Sequence, residues 1–326
     1  MIQKTSISFI IPYYEVDGAL LNRSLESLIL LDTLGLDWEA HVIDDGTPNS
    51  IAGEVVRQKN CNRIIYHRQE HTGLGEARNK GITVAQKEYI HFLDADDYLY
   101  YDACMRLFGI LESERPELLT FNYHKVYNET LIQEKKEKGN ILWRGNGVDY
   151  MKEHNLHGSA CCYFIRKTSL SDIRFSNIAY HEDEEFTPLL FLRLNDIIIT
   201  DIEAYAYYQR SGSLIHEQKI DLLNRRYTCL LTVIQRLKIA SDNMNATQAQ
   251  VLRKRVDMLC MDMIYTLLLN SPDVAFLKSM VNKMQDNGFY PLPVKRHTLI
   301  YSLFSLATSC HPLITMLYYL FGWKRR

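Results

Sequence analysis

The first hundred residues alternate between two periodicities. Short apolar, β-branched runs at Ile7–Ile11, Ala40–Ile43, Arg63–Tyr66 and Tyr89–Leu93 are separated by stretches with helical spacing at Leu20–Leu31, Ile51–Lys59 and Gly75–Ala85. Strands that alternate with helices need crossover connections. The pattern therefore predicts βαβ units and an α/β fold, with a mostly parallel sheet covered by helices on both faces. Ligands of such sheets bind beyond the carboxyl ends of the strands. Polar residues gather there: Pro12-Tyr13-Tyr14-Glu15 follows the first strand, Asp44-Asp45-Gly46 the second and Asp94-Ala95-Asp96-Asp97 the fourth.

Beyond Arg115-Pro116 the signal is mixed. Leu118–Tyr123, Ala160–Ile165, Ile197–Thr200 and Ala204–Tyr208 read as strands, with a helix from about Asp183 to Arg193. The mixed-charge stretch Asn128–Asn140 reads as a solvated excursion. From Asp221 onward helical periodicity dominates, in Leu222–Ala240, Ala249–Leu269 and Val274–Asn287. A boundary near Gln218 is expected. It divides a catalytic region, 1–218, with a nucleotide-binding half of about 1–99 and an acceptor half of about 100–218, from a helical C-terminal region, 219–326.

Composition narrows the function. With 326 residues, 47% of them hydrophobic and 23% charged, the chain has the makeup of a packed globular protein. The formal net charge of -2 provides no basic field, so nucleic acid is not an expected partner. Seven scattered cysteines, with no Cys-x-x-Cys pair and with Cys161 and Cys162 adjacent, fit reduced thiols in a cytoplasmic compartment. The N-terminus runs straight into a short apolar strand and lacks the pattern of a secretory signal, so the chain is expected to stay inside the cell.

Asp94 and Asp96 stand two apart at the end of an apolar run. Strand alternation would turn both carboxylates to one face, where oxygen ligands suit magnesium or manganese rather than zinc. Taken alone, the same residues would merely end a strand. Arg78, taken alone, would pair with Glu76 or Asp97 at the surface, and Glu182–Glu185 would be acidic residues in the first turn of a helix.

The motifs taken in order say more. Ser8–Glu15, Val42–Thr47, Gly73–Gly81, Phe92–Asp97, His181–Phe186 and Tyr205–Leu214 resemble, in sequence and spacing, those of the family 2 glycosyltransferases. The resemblance implies a GT-A fold, a nucleotide-diphosphate sugar donor with UDP-sugars favoured, inversion at the anomeric carbon and a saccharide or lipid-linked saccharide acceptor. Carried over by residue, it puts Pro12, Tyr14 and Asp45 around the base and ribose with Asp44 close by. Arg78 lies near the nucleotide, Asp94 by the ribose or donor sugar, and Asp96 on a manganese or magnesium ion that bridges the phosphates. Asp183 is the implied general base. Glu15 and His71 stand where the family often has Asn.

Two other readings compete. A haloacid-dehalogenase-type phosphatase also places Asp-x-Asp after a strand, but expects Thr or Val soon after the second Asp, where this chain has Asp97-Tyr98. A catalytically silent nucleotide-sugar-binding protein would have no need of Asp94, Asp96 and Asp183 together. At the C-terminus, Thr298–Trp323 is apolar but split by His311-Pro312 into halves of roughly a dozen residues, each about 18 Å as helix against about 30 Å of hydrocarbon. Basic residues flank it, so either an interfacial hairpin on the cytoplasmic face of the membrane, through 296–326, or a helix pair packed on the protein is expected.

Overall fold

The computed structural model describes residues 5–127, 139–209, 219–295 and 297–321. The mixed-charge stretch up to residue 138, the end of the Tyr205–Leu214 motif, the boundary at Gln218, Arg296 and residues 322–326 lie outside them. The described residues divide between two compact units, drawn from Met1–Asp149 with Gly158–Ser211 and from Tyr150–His157 with Gly212–Arg326.

The first unit opens with the expected alternation: β1 (Ser6–Tyr13), α1 (Gly18–Leu30), β2 (Asp37–Asp44), α2 (Ala52–Gln58), β3 (Ile64–Arg68), α3 (Leu74–Val84) and β4 (Tyr89–Phe92). Next come β5 (Tyr98–Leu99), α4 (Tyr101–Glu114), β6 (Leu118–Thr120), β7 (Asn122–Val126) and β8 (Ile141–Gly145). After α5 (Gly147–Glu153), the unit continues with β9 (Tyr163–Arg166), α6 (Lys167–Leu170), α7 (Glu182–Phe191), β10 (Ile197–Thr200) and β11 (Glu203–Tyr208).

Eight strands form one sheet in the order β3-β2-β1-β4-β9-β6-β10-β8. Its first four strands pair in parallel, and β9 joins β4 antiparallel. β1 is buried along almost its whole length because both faces of the sheet are covered, which is why its sequence is mostly apolar rather than alternating, with the buried Ser8 hydroxyl donating to Glu39. Pairing of β1 with β4 stops at Ile10 and Phe92, so Pro12 lies where that ladder has ended and its missing N–H is tolerated.

A second sheet, β5-β11-β7, was not expected from the pattern. The predicted single strand Leu118–Tyr123 breaks at Phe121. The Phe121 N–H donates to the Cys162 carbonyl at 2.9 Å, after which β7 leaves the large sheet for the small one. The predicted strand at Ala160 likewise begins as a 3-10 turn over Ala160–Cys162.

The second unit is helical: α8 (Ile220–Asp242), α9 (Ala246–Asn270), α10 (Val274–Asp286), α11 (Leu299–Ala307) and α12 (His311–Leu320). It also recruits Tyr150–His157, because the Lys254 ammonium on α9 donates to the carbonyls of Met151, Lys152 and His154 at 3.1, 2.8 and 3.3 Å. Backbone carbonyls leave no charge pattern in the sequence, so this return contact was not legible there.

Two helical glycines have opposite expectations. A Cβ at Gly81 on α3 would meet Ile10 Cγ2 at 2.2 Å, so Gly81→Ala should overpack the α3–β1 contact and cost about 1–3 kcal/mol. Gly109 on α4 has nothing within 4 Å of such a Cβ, so Gly109→Ala should stabilise by about 0.5–1 kcal/mol. Urea unfolding of both variants checks the pair through opposite shifts in midpoint.

Candidate active site

The chain leaves β1 at Tyr13, whose buried hydroxyl donates to the Val16 carbonyl at 2.7 Å and closes a tight turn. Within it Glu15 takes φ 50°, the left-handed region that Asn enters more readily. Tyr14 is turned outward and stacks on His71, with ring centroids 4.2 Å apart.

Two adjacent carboxylates end β2 and do different things. Asp44 is fully buried and accepts from the Thr47 N–H at 2.9 Å, the Tyr66 hydroxyl at 2.6 Å and Arg68 at 2.9 Å. Burial would raise its pKa. The hydrogen bonds from Ser50, Tyr66 and Thr47, with the charge of Arg68, more than offset this and hold it below the ordinary carboxylate range. Asp44 thus faces β3 and fixes the sheet edge.

Asp45 instead organises the start of α3. It accepts from the N–H groups of Thr72 and Gly73 at 3.0 and 2.8 Å and from Gln69 Nε2 at 2.8 Å, and His71 Nδ1 lies 2.9 Å from its Oδ2. Gly73 takes φ 104°, a conformation that favours glycine, as the chain enters the helix.

From that start α3 carries Arg78 into the interior. Its guanidinium donates to Asp94 Oδ1 at 3.0 Å and to Glu182 Oε1 at 2.6 Å, and it packs over the rings of Phe92 and Phe175. Burial works against its charge, but the carboxylates of Asp94, Glu182 and Asp183 more than offset that, so Arg78 stays cationic. The surface pairing with Glu76 or Asp97 is therefore replaced by a buried bridge between two halves of the unit. Asn79, one residue on, exchanges two hydrogen bonds of 2.9 Å with the Phe175 backbone. Phe175 in turn stacks on Phe186 of α7 at 3.8 Å, so α3 and α7 hold one another in place.

The Asp94–Asp97 segment is a turn and not a strand end, closed by the Asp97 N–H donating to the Asp94 carbonyl at 3.0 Å. The alternation argument that put Asp94 and Asp96 on one strand face therefore does not apply; the turn sets their directions. Asp97 is an anchor, accepting from the Tyr205 hydroxyl at 2.7 Å and the Tyr208 N–H at 2.7 Å, and Tyr205 is also 3.1 Å from the Asp94 N–H as its acceptor. Arg23, packed over Tyr98 and Tyr208, donates to the Asp96 carbonyl at 2.7 Å and pins the turn from behind. Asp94 and Asp96 remain half-buried at the crevice.

Asp183 sits in the first turn of α7, its Oδ1 accepting from the Glu184 N–H at 2.9 Å. Dense surroundings, then the neighbouring charges of Glu182 and Glu184, push its carboxyl well above the usual carboxylate range, against the pull of Arg78. Glu182 is committed to Arg78, and Glu185 accepts from the Ser176 hydroxyl at 2.5 Å.

Asp94 and Asp96 offer hard oxygen donors, and among the described residues no cluster of three or more His, Cys, Asp or Glu surrounds them. Two carboxylates fit a magnesium- or manganese-type ion that takes its remaining ligands from diphosphate and water. Pro12, Tyr14, Asp45, Arg78, Asp94, Asp96 and Asp183 thus border the strand ends or the helices packed on them, while Asp44 turns to the sheet edge. Sequence reasoning missed Glu182 as the second partner of Arg78, Tyr205 as the clamp on the turn, and the stacking of His71 on Tyr14. Their motifs were visible, but contacts between residues this far apart in sequence leave no periodicity.

An α/β unit with carboxylates at its strand ends has the general build of a ligand-binding α/β enzyme, and comparison with known proteins gives its class. The chain belongs to glycosyl transferase family 2, whose family model matches residues 8–174. It is a glycosyltransferase, and the phosphatase reading falls. It is 24% identical over 234 residues to glycosyltransferase GlyG of Streptococcus pneumoniae serotype 4, covering 65% of this chain and 73% of that protein. It is 29% identical over 223 residues to a poly(ribitol-phosphate) beta-glucosyltransferase of Bacillus spizizenii, covering 63% of this chain but 33% of that one. It spans a similar part, 35%, of glycosyltransferase GlyA of S. pneumoniae, at 24% identity over 71% of this chain. Its fold matches the S. aureus TarS 1–349 structure in complex with UDP-GlcNAc at a TM-score of 0.69 and 17% identity, over 98% of this chain and 92% of that one. The architecture is accordingly GT-A, and the family match ends before Asp183.

Removing Arg78 strands the buried Glu182 carboxylate and leaves the half-buried Asp94 without its partner. Arg78→Ala should destabilise the protein by about 3–5 kcal/mol, measured by urea unfolding. Arg78→Lys should recover only part of this, because an ammonium lacks the planar fork that addresses Asp94 and Glu182 together.

Proposed function

We propose that this glycosyltransferase moves a sugar from a UDP-sugar to a hydroxyl of a saccharide or lipid-linked saccharide in cell-surface polymer synthesis, with inversion and with a magnesium or manganese ion. The observation that carries the reading is the Arg78 bridge. It joins Asp94, on the strand-end side where donors bind in this architecture, to Glu182, next to Asp183. The UDP-GlcNAc complex of TarS and the glucosyltransferase of B. spizizenii support the donor and acceptor classes.

On this reading the stacked Tyr14 and His71 rings border the nucleobase, with Asp45 holding the loop that carries His71. Asp94 meets the ribose or the donor sugar. Asp96, with Asp94 beside it, would hold the cation, which neutralises the negative charge growing on the departing diphosphate. Asp183 takes the proton from the acceptor hydroxyl as that oxygen attacks the anomeric carbon from the face opposite the diphosphate. A single displacement of this kind inverts the centre. Asp183 suits the task better than Glu182 or Glu185, which are occupied by Arg78 and Ser176, and its raised proton affinity makes it the stronger base.

Three measurements test the assignment. Asp183→Asn should lower kcat by about 10²- to 10⁴-fold with little change in donor affinity, and kcat/KM should fall with it; turnover within a few-fold of the wild type would place the base elsewhere. Because the base must be unprotonated and its pKa is raised, the rate should climb with pH along an acid limb lying above the ordinary carboxylate range, and Asp183→Asn should abolish that limb. Asp96→Ala should remove the metal-dependent part of UDP binding in calorimetry; undiminished metal-dependent binding would remove Asp96 from the cation site.

A further inference from the structure

The last two helices of the second unit are inverted with respect to water. Helices α11 and α12 both pack on α9. The inward face of α11 carries Tyr301, Ser305 and Thr308, all buried, and the Tyr301 hydroxyl donates to the Pro293 carbonyl. On α12, Ile314 and Tyr318 face inward, with the Tyr318 hydroxyl donating to the Ser271 carbonyl. The outward positions hold Leu299, Ile300, Leu303 and Leu306 on α11 and Met316 and Leu320 on α12, each between 52% and 77% exposed. Hydroxyls inside and leucines outside is the reverse of a helix at a protein–water boundary. A patch built this way on two successive helices is an interaction surface.

Charge identifies what covers it. From Asn287 to Arg326 the sequence contains no Asp or Glu and five Lys or Arg, Lys295 and Arg296 before α11 and Lys324, Arg325 and Arg326 after α12. An apolar surface with basic clusters on either side of it in the sequence complements the headgroups and upper acyl region of an anionic bilayer. The helices do not suit a span. They are 9 and 10 residues long, about 14–15 Å each against about 30 Å of hydrocarbon, and bent by 107°. Their inner faces are committed to α9, and the entry to α11 is tied down by Asp257 on that helix, which accepts from Lys295 and lies 2.7 Å from His297 Nε2.

We infer that α11 and α12 form an in-plane docking surface for anionic lipid, seated on α9 by their hydroxyl-bearing faces and entering the bilayer interface by their outer Leu, Ile and Met side chains. This goes beyond the proposed reaction and stands or falls independently of it.

Flotation of the full chain with phosphatidylcholine vesicles, alone and mixed with phosphatidylglycerol, tests the inference. The chain should float with the mixed vesicles, less as salt rises. Leu303→Glu combined with Leu320→Glu should weaken that binding by roughly tenfold or more while the unfolding midpoint holds. Should those charges disturb the fold, Ile300→Ser with Leu306→Ser tests the same face. The inference is overturned if the chain ignores anionic vesicles, or if a folded outer-face variant floats as well as the wild type. It is equally overturned if the variant turns a dimer into a monomer in sedimentation velocity while no form floats, which would assign the face to a second copy. UDP binding by the same preparations reports on the catalytic reading separately.

Discussion

A guanidinium taken out of water has to meet compensating charge, and most of the catalytic unit follows from how Arg78 meets that demand. Asp94 comes from the turn after β4, Glu182 from the start of α7, and Arg78 itself from α3. These three segments are distant in sequence, and the bridge adds to the Asn79–Phe175 hydrogen bonds and the Phe175–Phe186 stack in fixing their relative positions. The aromatic rings of Phe92 and Phe175 exclude water around the ion, which strengthens both pairings and makes the loss of either partner costly.

Around that bridge the acidic residues separate into two kinds by what reaches them. Asp44, Asp45 and Asp97 are saturated with donors from the protein: hydroxyls and Arg68 for Asp44, the Thr72 and Gly73 N–H groups just before α3 for Asp45, Tyr205 and Tyr208 for Asp97. They fix backbone. Asp94, Asp96 and Asp183 are instead only partly buried, Asp94 paired with Arg78 and Asp183 in the first turn of α7. The buried group holds the partly exposed group in position, as Asp97 does for the turn that carries Asp94 and Asp96.

The second unit has fastenings of its own. Lys254 satisfies three carbonyls of the Tyr150–His157 segment, and Asp257 holds the entry to α11 through Lys295 and His297. These polar contacts supplement an apolar core of α8, α9 and α10 that includes Val233, Ile234, Leu252, Ile264, Leu267 and Leu277, while α11 and α12 keep apolar side chains on their outer faces.

Sequence by itself determined the α/β class, the order of the first seven elements, the long helices after residue 219 and the motifs that mark the family. Periodicity is a local property, set by whether a segment is buried on one face or two, and it survives in the sequence of each segment alone. Only tertiary structure decided the partners. It turned the strand-end reading of Asp94 and Asp96 into a turn, moved Arg78 from the surface to a buried bridge, split Leu118–Tyr123 between two sheets and directed Asp44 away from the crevice. For the C-terminal helices the sequence left two alternatives, packed pair or interfacial hairpin; the structure shows one face packed and the other bare. Each of these depends on which distant group comes within about 3 Å, and that distance is set by chain topology rather than by neighbours in the sequence.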